Sequence, residues 1–271
     1  MCIRSPESGR TSSLIGRNIR FGYCCAPEET ALYAEAGFDF FECNASAVLC
    51  QDDCKERIAN AALPCLSANS FIPGNHKITG ENVDRAALMA HADKVITRAG
   101  ECGIPTIVFG SGGARDVPEG FPVEKAAAQI LAFVQDLLPV LEKSGVTLVL
   151  EPLGIPDSNI INSVGAGASL VNRVNHPNVK LLADSYHFYK SDNALESLAW
   201  NAPLLRHIHV ATTPDRLAPG MQEWDLTEFF SVLKHSGYSS GISVECYGGA
   251  DKKLDAETAI AVLRKTWDAI D

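Results

Sequence analysis

Short apolar runs rich in β-branched residues recur along the chain, and amphipathic stretches of helical length separate them. Runs of this length, bounded by glycine, proline or an acid, read as strands buried on both faces. They fall at 19–25, 38–43, 63–70, 105–110, 146–151, 179–184, 204–210 and 241–246. Helical stretches follow at 27–37, 47–62, 82–102, 122–143, 165–174, 194–200, 226–235 and 257–270. Strand–helix alternation implies a parallel sheet. Eight such units within 271 residues predict an α/β fold of one domain, a closed (β/α)8 TIM barrel over 18–271. The polar stretch 1–17 has no apolar core of a signal peptide and is expected to be a flexible N-terminal tail.

The last four strands end in chemistry. Glu151 closes the fifth, Asp184 the sixth, His209 stands near the end of the seventh and Glu245 near that of the eighth. The intervals of 33, 25 and 36 residues each leave room for one crossover helix. Alternation along a strand aligns Glu151 with Thr147 and Val149, Asp184 with Leu182, His209 with His207, and Glu245 with Ser243. A carboxylate at the end of an apolar strand is costly to bury unpartnered. A single strand-end acid is commonly a helix cap, and a single buried histidine is commonly a satisfied core residue. Four such groups at one end of one sheet point instead to a shared cation. An open sheet would spread these strands over roughly 15 Å, at about 4.8 Å per strand, too wide for one ion. A closed barrel brings them to one mouth.

Two glutamates, an aspartate and an imidazole suit one divalent ion, Mn²⁺ before Mg²⁺, Co²⁺ or Zn²⁺. An open coordination position accepts the hydroxyl and carbonyl oxygens of a sugar, polyol or keto acid. The ion then stabilises an enediolate while a carboxylate removes the α-proton. Glu151 and Glu245, three strands apart around the ring, can flank one carbon on opposite faces.

Composition narrows the partners. A formal net charge of −10 repels nucleic-acid phosphates and anionic lipid, so neither nucleic acid nor membrane is an expected partner. Nine cysteines, an odd number scattered through apolar segments, read as reduced thiols of a cytoplasmic protein. Cys50 and Cys54 have metal-ligand spacing, but no second pair joins them. Nothing in the pattern forbids a homo-oligomer. Glu42 and Asn69 end the second and third strands, where they line a pocket or cap helices; His76 and His91 are expected at the surface. After the fourth strand, G-S-G-G-A-R ends in Arg115. Its backbone amides and Arg115 form a candidate anion receptor, and a flexible turn with a solvent-facing arginine fits the same letters.

The segments E-P-L-G (Glu151–Gly154), A-D-S-Y-H (Ala183–His187), H-I-H-V (His207–Val210), D-R-L-A-P-G (Asp215–Gly220) and I-S-V-E (Ile242–Glu245) resemble the sugar phosphate isomerase/epimerase superfamily. This is the xylose isomerase-like barrel group that contains ketose 3-epimerases and hydroxypyruvate isomerases. The resemblance implies metal ligation by Glu151, Asp184, His209 and Glu245, with both glutamates also acting as acid and base. It implies that His187 and Arg216 polarise the substrate. Two departures stand out. Asp157 occupies the position six residues after the first ligand where ketose epimerases carry glutamate, and Arg216 follows His209 by seven residues rather than six. Asp157 and Arg115 complete the substrate-binding candidates.

Three other readings use the same residues. One is a metal-dependent dehydratase of an inosose or dehydroshikimate-like substrate. Another is a non-catalytic barrel subunit of a sugar-modifying complex. The third, an abasic-site endonuclease, needs further histidines after strands two to four, where Asn44, Asn69 and Ser111–Gly113 stand.

Overall fold

A computed structural model describes residues 19–191 and 194–271. The expected tail, 1–17, lies outside the described residues. Eight strands form a closed barrel in chain order: β1 (Arg20–Cys24), β2 (Phe40–Asn44), β3 (Cys65–Asn69), β4 (Thr106–Phe109), β5 (Thr147–Leu150), β6 (Val179–Asp184), β7 (Leu205–Val210) and β8 (Gly241–Val244). Every neighbouring pair is parallel, and β8 closes the ring on β1. The predicted (β/α)8 barrel is therefore the fold.

The alternation in the sequence sorts side chains between two cores. Phe41, Ile107, Leu148, Leu181, Ile208 and Ile242 face outward into the continuous layer beneath the helices. Val108, Val149 and Leu182 form a separate cluster inside the bore. Toward the opposite end from the mouth, the fully buried Phe40 ring fills the bore between two glycines. A Cβ on Gly22 or Gly241 would fall 2.2 or 2.8 Å from that ring, so both positions must lack one.

Three helical stretches differ from expectation. The segment 47–62 is two short helices, Ala45–Val48 and Cys54–Ala59, because the polar Gln51, Asp52 and Asp53 interrupt any apolar stripe. The segment 122–143 breaks at Leu137 into Val123–Asp136 and Leu138–Ser144. Pro139 lacks the amide that would continue the helical ladder there. The last helix starts earlier than expected, at Lys252, where the Asp251 carboxylate accepts hydrogen bonds from Lys253 and Leu254 amides. A helix after β6 was also unexpected. Ser185–Ser191 begins directly after β6, its first turn held by the Tyr186 amide donating to Asp184 Oδ1 at 2.9 Å.

Among the described residues, no helix is long and apolar enough to cross a membrane. All eight described cysteines are free thiols.

Candidate functional site

At the C-terminal ends of β5 to β8, Glu151, Asp184, His209 and Glu245 each offer a ligand atom, and these atoms all lie within 4.8 Å of one another. Two backbone bonds extend the ladder past the strands and fix the glutamates. The Glu151 amide donates to Phe109 O and the Glu245 amide to Val210 O, each at 3.1 Å. Asp184 and His209 lie opposite each other in the register of β6 and β7.

His209 is the hinge of the cluster. Its Nδ1 lies 3.2 Å from Glu151 Oε1 and 3.3 Å from Glu245 Oε2, while Nε2 lies 2.9 Å from Glu42 Oε1. With Nε2–H donating to Glu42, Nδ1 would be left to bind an ion held among the other carboxylates. This is the second-layer arrangement that orients a metal-ligating histidine. Glu42 is itself held across the bore: Oε2 accepts from Ser67 at 2.5 Å, Ser243 at 2.9 Å and His207 Nε2 at 2.7 Å. Burial raises the Glu42 carboxyl pKa, but the two imidazoles outweigh burial and hold it well below the usual range. Burial likewise disfavours protonated His209, and Glu42 and Glu245 reverse the effect, holding it well above an ordinary imidazole. The field that favours a proton there favours a divalent cation as well.

The donor set fits such an ion. It comprises three carboxylates and one imidazole, with Asp184 and Glu151 buried and Glu245 partly exposed toward the mouth. Burial raises the Asp184 pKa despite His187 and Arg216 nearby. Glu245 is brought down to about 2: burial opposes this, and His209 and Arg216 prevail.

A cavity of ≈ 250 Å³ opens beside the quartet, walled by Ile72 and Leu153 and by the glycines of the loop after β4. Glu151, Glu245, His187, Arg216 and Asp157 all line it. Arg216 Nη2 donates to Glu245 and lies 3.3 Å from Asp184 Oδ2. Its backbone is left-handed, φ 55°, and its guanidinium lies over the Tyr186 ring at 4.9 Å. Strained backbone of this kind is concentrated where a side chain must be aimed. His187 is buried, 3.7 Å from Asp184 Oδ2 and 3.6 Å from Asp157 Oδ2, and its Nδ1 has no hydrogen-bond partner. Asp157 also lies 3.8 Å from Lys190 Nζ.

Arg115 does not receive an anion. It is fully buried, and its guanidinium donates to Phe109 O at 3.2 Å and Glu151 O at 2.8 Å, with burial pushing its pKa down to about 10. It ties the end of β4 to that of β5 and so positions Glu151 from behind. Neither the anion receptor nor the solvent-facing turn describes it, because the loop folds into a helical turn, Gly112–Arg115, that directs the side chain inward. Gly110 leaves room for the Glu151 side chain: a Cβ there would lie 2.3 Å from Glu151 Oε2 and displace the carboxylate.

Two residues join the site more firmly than their sequence positions suggested. Asn69 lines the cavity and donates from Nδ2 to Glu245 Oε1 at 3.0 Å. Glu42 does not line it but anchors His209 from below. Both are polar residues in or at the end of apolar strands, the signal that also singled out the four candidate ligands. His76 and His91 are half-buried and stacked at 4.9 Å, apart from this cluster.

Comparison with known proteins follows the same lines. The sequence pattern of the xylose isomerase-like TIM barrel matches residues 30–266. An inosose isomerase of Bacillus subtilis is 32% identical over 155 residues, 53% of this chain and 54% of that protein. The chain thus spans about half the length of the curated relatives it matches. A 3-keto-D-glucoside 4-epimerase from E. coli has a crystal structure that superposes with a TM-score of 0.79 at 21% identity, over 92% of this chain and all of that one. The IolI protein, crystallised with a bound zinc atom, superposes at 0.70 with 20% identity, over 92% of this chain and 96% of that one. Likeness at these identities establishes a common fold.

Proposed function

The chain belongs to the xylose isomerase-like TIM barrel family, and on that premise we propose that it is a divalent-metal-dependent isomerase or epimerase of a small sugar, polyol or keto acid. One observation carries the reading: two glutamates, an aspartate and an imidazole converge beside a cavity of ≈ 250 Å³, room enough for a small carbohydrate. The activities named for the B. subtilis and E. coli relatives support it, and the zinc in the IolI protein supports a divalent ion. The oxygen-rich donor set favours Mn²⁺ or Mg²⁺ among the candidates.

Glu151, Asp184, His209 and Glu245 would hold the ion, which would supply positive charge where negative charge develops on substrate oxygens. The protein does the rest. One of Glu151 and Glu245 takes the proton from the carbon beside the carbonyl, and the other returns one on the opposite face. Arg216 and the free Nδ1 of His187 donate to substrate oxygens and fix the pose. Asp157 binds a hydroxyl at the far wall. Ile72 and Leu153 keep water from the reacting carbon. Arg115 and Glu42 hold Glu151 and His209 in place from outside the cavity. The acidic chain has no nucleic-acid or membrane role in this reading, and its free thiols suit the cytoplasm; a homo-oligomer is compatible with it.

Assay of the isolated chain with Mn²⁺ against ketoses, inososes and hydroxypyruvate tests the proposal. Interconversion of any of them is expected. Loss of water from an inosose would indicate the dehydratase, and inactivity toward the whole panel the non-catalytic subunit. If His187 and Arg216 act on substrate, His187→Asn and Arg216→Gln should each lower turnover by ~10²–10³-fold. Metal content should stay at the wild-type level. A parallel fall in metal would make His187 a ligand instead.

A further inference from the structure

A second group of cation-binding side chains lies on the other side of His209. Cys24 at the end of β1, Glu42 and His209 each offer an atom, and these too lie within 4.8 Å of one another. Cys24 is partly exposed, and its Sγ accepts a weak hydrogen bond at 3.5 Å from Nδ2 of Asn69, which lines the cavity. Glu42 Oε2 is occupied by His207, Ser67 and Ser243, which leaves Oε1 directed at His209 Nε2. Thiol, carboxylate and imidazole differ in character from the oxygen-rich quartet. A thiolate selects soft or borderline cations such as Zn²⁺ and Cd²⁺ over Mn²⁺ and Mg²⁺.

We propose that Cys24, Glu42 and His209 form a second, thiophilic cation site that opposes the first. The opposition follows from the imidazole between them. A neutral imidazole has one lone pair and one N–H. When Nε2–H donates to Glu42, the lone pair on Nδ1 faces Glu151 and Glu245. A cation bound by Cys24 and Glu42 takes the lone pair on Nε2, and the ring proton then resides on Nδ1, facing the quartet. The thiol proton leaves to solvent as the sulfur–metal bond forms, and no electrons are transferred. A soft ion at this site therefore withdraws His209 from the quartet and disables it without entering the substrate cavity. The argument for antagonism rests on the proposed role of His209 as a ligand; the existence of the site does not.

Cadmium titration of the metal-stripped full chain separates these points. Cd²⁺ should produce the ultraviolet thiolate-to-cadmium charge-transfer band, saturating at one equivalent. Cys24→Ser and Cys24→Ala should abolish it while circular dichroism stays unchanged. Cys246→Ser, which removes the neighbouring thiol bonded to Tyr23, should keep it. Absence of a band in the wild type, or a band undiminished in both Cys24 variants, overturns the site. Excess Mn²⁺ should bleach the band. A band that persists while paramagnetic resonance registers bound Mn²⁺ overturns the antagonism. Failure of Mn²⁺ to bind at all overturns the functional reading of the quartet instead, and leaves the cadmium result to stand on its own.

Discussion

Glu245→Gln and Glu151→Gln should each lose net interconversion of substrate by ~10²–10⁴-fold, the range supplied by a positioned general acid or base. Glutamine keeps the shape of glutamate and one oxygen for the ion, but its amide accepts no proton. The two variants should retain most of their metal, since three of the four donors are untouched. They should also differ from each other. Glu245 accepts from Asn69 and Arg216, and its pKa is held down to about 2. Glu151 is tethered through its backbone, by Arg115 and by the β4 ladder. If each serves one face of the carbon, each variant exchanges the hydrogen of one epimer only, which proton resonance spectra of substrate in D₂O would reveal. Full turnover in either variant would reduce that glutamate to a ligand.

The second large effect concerns the ion itself. Elemental analysis should find a divalent metal in the wild type, and Asp184→Ala should purify without it and without activity. Asp184 is suited to this test because Oδ1 is spent on the Tyr186 amide while the carboxylate still offers one atom to the quartet. Stability should register the loss too. An ion that binds only the folded chain adds about 2.7 kcal/mol at a hundredfold excess over its dissociation constant. Chelation should therefore lower the wild-type melting temperature and leave that of Asp184→Ala unmoved. Equal metal in the two proteins, or metal that follows the cysteines, would refute the ligand assignment.

The barrel and the convergence of the four candidate ligands were legible because both are written in short-range pattern. Strand length, alternation and one acid or histidine per strand end suffice to bring Glu151, Asp184, His209 and Glu245 to one rim. What stayed hidden depends on contacts across the bore. Glu42 meets His207 and His209 over 165 and 167 residues of sequence, and nothing local distinguishes it from a helix-capping acid. Arg115 reads as an anion receptor or a solvent-facing charge because its letters say nothing about which way a four-residue helical turn directs it. The helix break at Leu137 was missed although Pro139 marks it, and the helix after β6 was obscured by the ligand motif that occupies its first turns. Asp157 remains the departure that bears on substrate. Its carboxylate stops 3.6 Å from His187 and 3.8 Å from Lys190, lining the cavity without closing a bond to either.

The central claim is that carboxylates at this mouth move a proton through a site that depends on a divalent ion. The most direct measurement is turnover of the best substrate from the panel in D₂O, read by mass and proton resonance of the product. The account predicts solvent deuterium at the carbon beside the carbonyl, absent after chelation and restored by Mn²⁺. Product formed at full rate with no deuterium at that carbon would mean that hydrogen moves directly between carbons, and would contradict it.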